Sequence, residues 1–185
     1  MGKKAAYFIT SDDDFIAANR AREIFEELSK DALDDMSKEV IDGASQKAED
    51  AAKAFAQTLQ AAATLPLFGG AKYVWLRNAN FFGDAKILKN EEVSTTLTKL
   101  VDYLKSLSPE NAVVVINASP VDRRSKIFKE FSAFAESEDF QAKDPISACS
   151  ELIRNESAAL GIRFEPGAAE TLASIVPCNP RMCVQ

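Results

Sequence analysis

Histidine is absent from all 185 residues, and the consequence reaches beyond one residue type. Imidazole is the usual side chain that titrates near neutral pH, so Ser-His and Cys-His nucleophile arrangements are excluded. Cysteine is scarce: Cys149, Cys178 and Cys183 make an odd number, and with no histidine to complete a zinc site they read as reduced thiols. No segment approaches the roughly 18 consecutive apolar residues of a membrane span, so no membrane is expected. Met1-Gly2-Lys3-Lys4 lacks the apolar run of a signal peptide, and Ala6 stands where a myristoylation signal needs Ser or Thr. These features point to the cytoplasm. Positive charge is also in short supply, since 22 Lys and Arg against 28 Asp and Glu leave a net charge of -6. Holding nucleic acid by bulk electrostatics needs clustered cations, so any DNA contact is expected to be local or shared with partners.

What remains is an ordinary globular composition, 46% hydrophobic and 27% charged, in a chain long enough for one domain and part of another. Ala5–Thr10 is a short apolar run ending in Ser11-Asp12-Asp13-Asp14, and Ser11 with Asp14 resembles a capping box. Phe15, Ala18, Ala21, Phe25 and Leu28 then recur at helical spacing. Further strands are expected at Glu39–Gly43, Lys72–Arg77 and Ala112–Asn117, with an edge strand at Asp139–Gln141. Helices are expected over Gln46–Ala63, Asn90–Leu107 and Asp122–Phe134. Ala112–Asn117, apolar on both faces, suits the centre of a parallel sheet covered by helices. The alternation predicts a layered α/β domain over residues 1–143. Residues 144–185 read as the beginning of a small helical domain, with helices at Ile146–Leu160 and from Pro166 to about Val176, and Gly161 as a cap. Two such helices cannot enclose a core alone, so that second domain looks truncated.

In an α/β domain ligands bind beyond the carboxyl ends of the strands. The first turn, Thr10-Ser11-Asp12-Asp13-Asp14-Phe15, has neither the glycines nor the lysine of a phosphate cradle. Its carboxylates admit two readings. They could hold Mg²⁺ in a nucleotide- or metal-dependent switch or enzyme of the receiver type, although the third strand ends Leu76-Arg77-Asn78 with no phosphoacceptor carboxylate. Alternatively they cap the helix and complement its dipole.

Thr64-Leu65-Pro66-Leu67-Phe68-Gly69-Gly70 places a leucine and a phenylalanine between a proline and two glycines. Pro and Gly mark a surface connection. Leu67 and Phe68 are either a hydrophobic plug offered to another protein or a pair folded back under the loop.

This order of features resembles the delta subunit of the bacterial DNA polymerase III clamp loader. It is carried by Tyr7–Phe15, the Thr64–Gly70 run ahead of Tyr73-Val74-Trp75-Leu76, Val113–Ile116 followed by Asp122-Arg123-Arg124-Ser125-Lys126, and Gly161–Ala169. Each motif alone is weak, and their order carries the weight. The resemblance implies an AAA+-like, P-loop NTPase-like α/β domain with a mostly parallel sheet and no functional phosphate loop, then the start of a helical lid. It implies a non-catalytic subunit of a DNA-directed DNA polymerase complex that binds and opens the sliding clamp, the beta subunit, in replication. Other loader subunits would be partners of the full-length protein and primed DNA an indirect one, with no cofactor or metal required. The clamp-binding residues implied are Leu67 and Phe68, flanked by Pro66 and Gly69. Arg123, Arg124 and Lys126 are candidates for contact with DNA or a neighbouring subunit; the bland alternative is that Asp122 caps a helix whose exposed residues are basic.

Overall fold

A computed structural model describes residues 4–30, 32–66, 68–141 and 145–175. Contacts divide the chain into two compact units, Met1–Phe140 and Gln141–Gln185.

The first unit is built on five parallel strands, β1 (Ala6–Ser11), β2 (Lys38–Asp42), β3 (Lys72–Arg77), β4 (Ala112–Ala118) and β5 (Glu136–Phe140). Their spatial order is β2-β3-β4-β1-β5, with all four pairings parallel. β4 lies in the middle and is buried along its whole length. Successive side chains alternate between two cores, as strand geometry requires. On one face Phe8, Val74, Leu76, Val114 and Ile116 meet α2 (Ala48–Ala63), α4 (Glu91–Ser106) and α5 (Lys126–Phe134). On the other, Ile9, Tyr73, Val113 and Val115 meet Ala21 and Phe25 of α1 (Asp14–Leu28). Because both faces are covered, the inner strands read as unbroken apolar runs rather than as alternating ones.

Aromatic rings fill the larger core. Phe8 lies 5.0 Å from Phe131 and 5.4 Å from Phe82, centroid to centroid, and Phe55 meets Phe81 edge-on at 4.8 Å. Phe8 has no exposed surface, so truncating it to Ala should cost about 3–5 kcal/mol.

Several boundaries differ from the sequence expectation. Asp13, not Ser11, is the N-cap of α1: its Oδ1 accepts from the N–H groups of Phe15 and Ile16 at 2.9 and 3.2 Å. Asp122 does not open α5. Ser125 caps that helix, its Oγ accepting from Phe128 N–H at 3.2 Å. β5 begins at Glu136, three residues before the expected edge strand. Its sequence Glu-Ser-Glu-Asp-Phe has little strand propensity, and cations hold it instead: Lys4 on Glu136, Arg20 on Glu138 and Arg123 on Asp139. Between β3 and α4 a 3₁₀ turn (Asn80–Gly83) and the short α3 (Ala85–Leu88) carry Phe81, Phe82 and Ile87 into the core.

In the second unit, α6 (Pro145–Ala159) and α7 (Ala168–Ile175) pack through Cys149, Ile153, Ala169 and Ala173, and Arg154 pairs with Glu170. Gly161 takes φ 74°, the left-handed conformation expected of a helix cap. Cys178, Cys183 and the expected helix end at Val176 lie outside the described residues.

Candidate functional site

The loop between α2 and β3 is held at both roots. α2 is rich in alanine, the best helix former, and its buried face packs on Leu97, Leu100 and Leu104 of α4. The Tyr103 hydroxyl of α4 donates to the carbonyl of Ala62 at 3.0 Å, fixing the last helical turn. At the other root, Lys72 N–H donates to Asn111 C=O at 2.9 Å as β3 begins. Between these anchors Gly69 N–H donates to Pro66 C=O at 3.3 Å, closing a tight turn, and Gly69 and Gly70 both stand at φ 81°, a conformation a Cβ disfavours.

Phe68 is 71% exposed on that turn and Leu65, before Pro66, is 72% exposed. Phe68 is therefore not folded back under the loop, while Leu67 lies outside the described residues. Leu65 lies outside the Pro66-to-glycine interval that the sequence pattern singles out. Its position directly after a capped helix end, where no core face continues, is the signal that could have found it. Pro66 is half-buried and Gly69 exposed.

The opposite end of the sheet is charged and closed. Asp12 and Asp13 alone separate β1 from α1, which leaves no room for a glycine-rich cradle. The first free N–H groups of α1, the donors a phosphate would use, already serve the Asp13 carboxylate. Arg123, in the connection from β4 to α5, reaches Asp139 through Nε and Nη2 at 2.8 Å each and Asp12 through Nη1 at 2.6 Å. The Thr10 hydroxyl donates to the same Asp139 carboxylate at 2.8 Å. Hydrogen bonding to Asp139, reinforced by Asp12 and opposed by burial, holds the Arg123 guanidinium well above its ordinary pKa. Asp12, Asp13 and Asp14 therefore do not converge: one pairs with Arg123, one caps, and one begins the helix. Among the described residues no group of three or more Cys, Asp or Glu side chains is arranged to hold a metal.

The model of the family described as DNA polymerase III, delta subunit, matches residues 7–138. The chain belongs to the DNA polymerase III delta subunit family. Among solved structures, the Bacillus subtilis DNA clamp loader delta protein (YqeN) superposes with a TM-score of 0.66 at 19% identity, over 98% of this chain and 51% of that one. The chain thus spans about half the length of that delta protein, and the likeness establishes a shared fold. No curated protein sequence matches.

The delta family is an accessory part of the polymerase, and the layering seen here, an all-parallel five-stranded sheet between helices, is that of a clamp-loader delta fold. Within it the three basic candidates separate. Arg123 is engaged inside the fold. Arg124 is almost fully exposed, its Nε 3.4 Å from Asp122, and Lys126 is an exposed residue at the start of α5. No helix among the described residues is long and apolar enough to cross a membrane.

Proposed function

We propose that this chain is the clamp-engaging portion of a delta subunit, which binds the sliding clamp through the loop before β3 and biases the ring towards its open form. The observation that carries the reading is an exposed Phe68, with Leu65 beside the same turn, on a loop rooted in packed helix and strand. Leu67 joins them as a plug residue on the strength of the family resemblance. Each large apolar side chain that enters a pocket on the clamp contributes about 1.5–3 kcal/mol, enough for two or three of them to act as the hot spot of a modest interface. Pro66 and the glycine at 69 keep the turn in shape, which limits the ordering cost of docking.

Opening follows from linkage. A ligand shifts a closed ring towards an open one only by its difference in affinity for the two forms, so no nucleotide need be hydrolysed in this chain. In this reading residues 1–143 form the clamp-binding domain and 144–185 begin a helical lid. Other loader subunits and, indirectly, primed DNA are partners of the longer protein in the cytoplasm, with Arg124 and Lys126 as the basic residues free to meet them. The test is retention of a purified sliding clamp of the same organism by this chain. Replacing Leu67 and Phe68 together by Ala should abolish retention while the melting temperature holds; undiminished retention refutes the assignment.

A further inference from the structure

The turn between α1 and β2 carries two more large apolar side chains in the open, Leu33 at 66% and Met36 at 68% exposure. Since β2 and β3 are parallel neighbours, the segments entering them emerge at the same end of the sheet, so this turn and the plug loop are adjacent. The adjacency is close: a Cβ placed on Gly70 would lie 3.8 Å from Leu33 Cδ1. Lys38 pairs with Tyr73 across the two strands, and the Lys72 ammonium, itself nearly buried, donates to the Met36 carbonyl at 2.8 Å while pairing with Glu39 at 3.1 Å. The turn is also braced from within, because Asp34 Oδ1 accepts from Ser37 N–H at 2.7 Å and from Ser37 Oγ at 2.9 Å. Single exposed apolar residues need no explanation. Four on two adjoining, internally braced segments, with Leu33 against Gly70, concentrate apolar surface at one end of the sheet, the kind of surface that marks a protein contact.

We infer that Leu33 and Met36 are a second lobe of the clamp-docking surface, engaged by the same clamp that receives the plug. This rests on the reading that the plug binds a clamp. The area argument selects the occupant. A phenylalanine buries about 150–250 Å² and a leucine less, so Leu65, Leu67 and Phe68 together fall short of the roughly 800 Å² per partner of a standard specific interface. The surplus must come from whatever adjoins the loop, and on the β2 side that is Leu33 and Met36. Lys72 ties their turn to the root of the loop, so the two segments are presented to a partner together.

Binding of the full chain to the immobilised sliding clamp of the same organism tests the inference, with the unaltered protein, Phe68→Ala and the pair Leu33→Ser/Met36→Ser compared. Phe68→Ala should lose binding, and the pair should weaken it at least tenfold, chiefly through faster dissociation, with an unchanged melting temperature. A pair variant that binds as tightly as the parent overturns the second lobe while leaving the plug intact. An unaltered affinity accompanied by altered concentration-dependent self-association overturns it too, by assigning the turn to a contact between copies of this chain. If the parent itself does not bind, both readings fall. Should the pair variant melt early, amide exchange on the parent decides: protection of residues 32–38 by the clamp supports the lobe, and its absence overturns it.

Discussion

Arg123, in the connection from β4 to α5, ties β5 to the end of β1, and its removal has a calculable effect. Its guanidinium makes a two-pronged bond to Asp139 of β5 and a third bond to Asp12 beyond β1. The side chains of Arg123 and Asp139 are only 26% and 22% exposed. Such a pair is worth more than a surface ion pair, about 0–1 kcal/mol, and less than the 3–5 kcal/mol lost on breaking a fully buried one. Arg123→Met keeps the aliphatic stem and removes the charge, leaving the Asp12 and Asp139 carboxylates near one another without the cation between them. We expect a loss of about 2 kcal/mol, which for a domain of this size lowers the melting temperature by about 4–8 °C. In a cycle with Asp139→Asn the double variant should be clearly more stable than the sum of the single losses, with about 1 kcal/mol or more of coupling. Thermal melts of the four proteins suffice. An Arg123→Met protein that melts within about 1 °C of its parent, or strictly additive losses, would refute the clasp and return Arg123 to the exposed basic residues beside Arg124.

Two other perturbations probe the same end of the sheet. A Cβ on Gly83 would stand 2.8 Å from Pro120 Cγ and 2.9 Å from the Pro120 carbonyl oxygen, so Gly83→Ala should cost about 1–3 kcal/mol by overpacking; an unchanged melt would mean the two segments do not touch. At the end of β2, burial opposes ionisation of Asp42, but the N–H of Ala44, Arg77 and Asn78 outweigh it and lower its pKa. A carboxyl depressed in the folded state contributes stability above its unfolded pKa, about 3.9, and loses it as pH falls through the lower folded value. Asp42→Asn should therefore melt below the parent at pH 7, and the gap should narrow below about pH 4; a constant gap would show that the charge contributes nothing.

How much of this was legible depended on whether one segment determined the outcome. β4 announced itself, because a strand covered on both faces is a near-continuous apolar run and Ala112–Ile116 is one. The amphipathic helices were equally plain, their spacing being a local property. β5 was legible only at its end, Asp139 and Phe140, since Glu136–Glu138 join the strand through contacts outside the segment, Lys4 on Glu136 and Arg20 on Glu138. The α1 cap is Asp13 rather than Ser11 because Ser11 is still the last residue of β1, so the helix begins later than the Ser11/Asp14 match suggests. Of the candidate site, the Pro and Gly punctuation revealed the loop and Phe68. Nothing local could show that Leu33, more than thirty positions earlier, stands beside Gly70.

These particulars assign the two ends of the sheet opposite characters, and one constraint links them. At the carboxyl ends of β1 and β5 a nucleotide would need free N–H groups and cationic charge, yet Asp13 takes the former and the Asp12 and Asp139 carboxylates take Arg123. Spending those groups within the fold ties down an edge strand that has almost no apolar side chains of its own. At the amino ends of β2 and β3 the reverse holds: the backbone is braced by Lys72, Asp34 and Tyr103 while the large apolar side chains are left in water. Leaving Leu33, Met36, Leu65 and Phe68 exposed on fixed segments is unfavourable for the isolated chain, and the cost is recovered only when something covers them. In the proposed reading, a domain whose charged end is spent on its own fold and whose apolar end stays open and braced shifts a partner's equilibrium through the free energy of that contact.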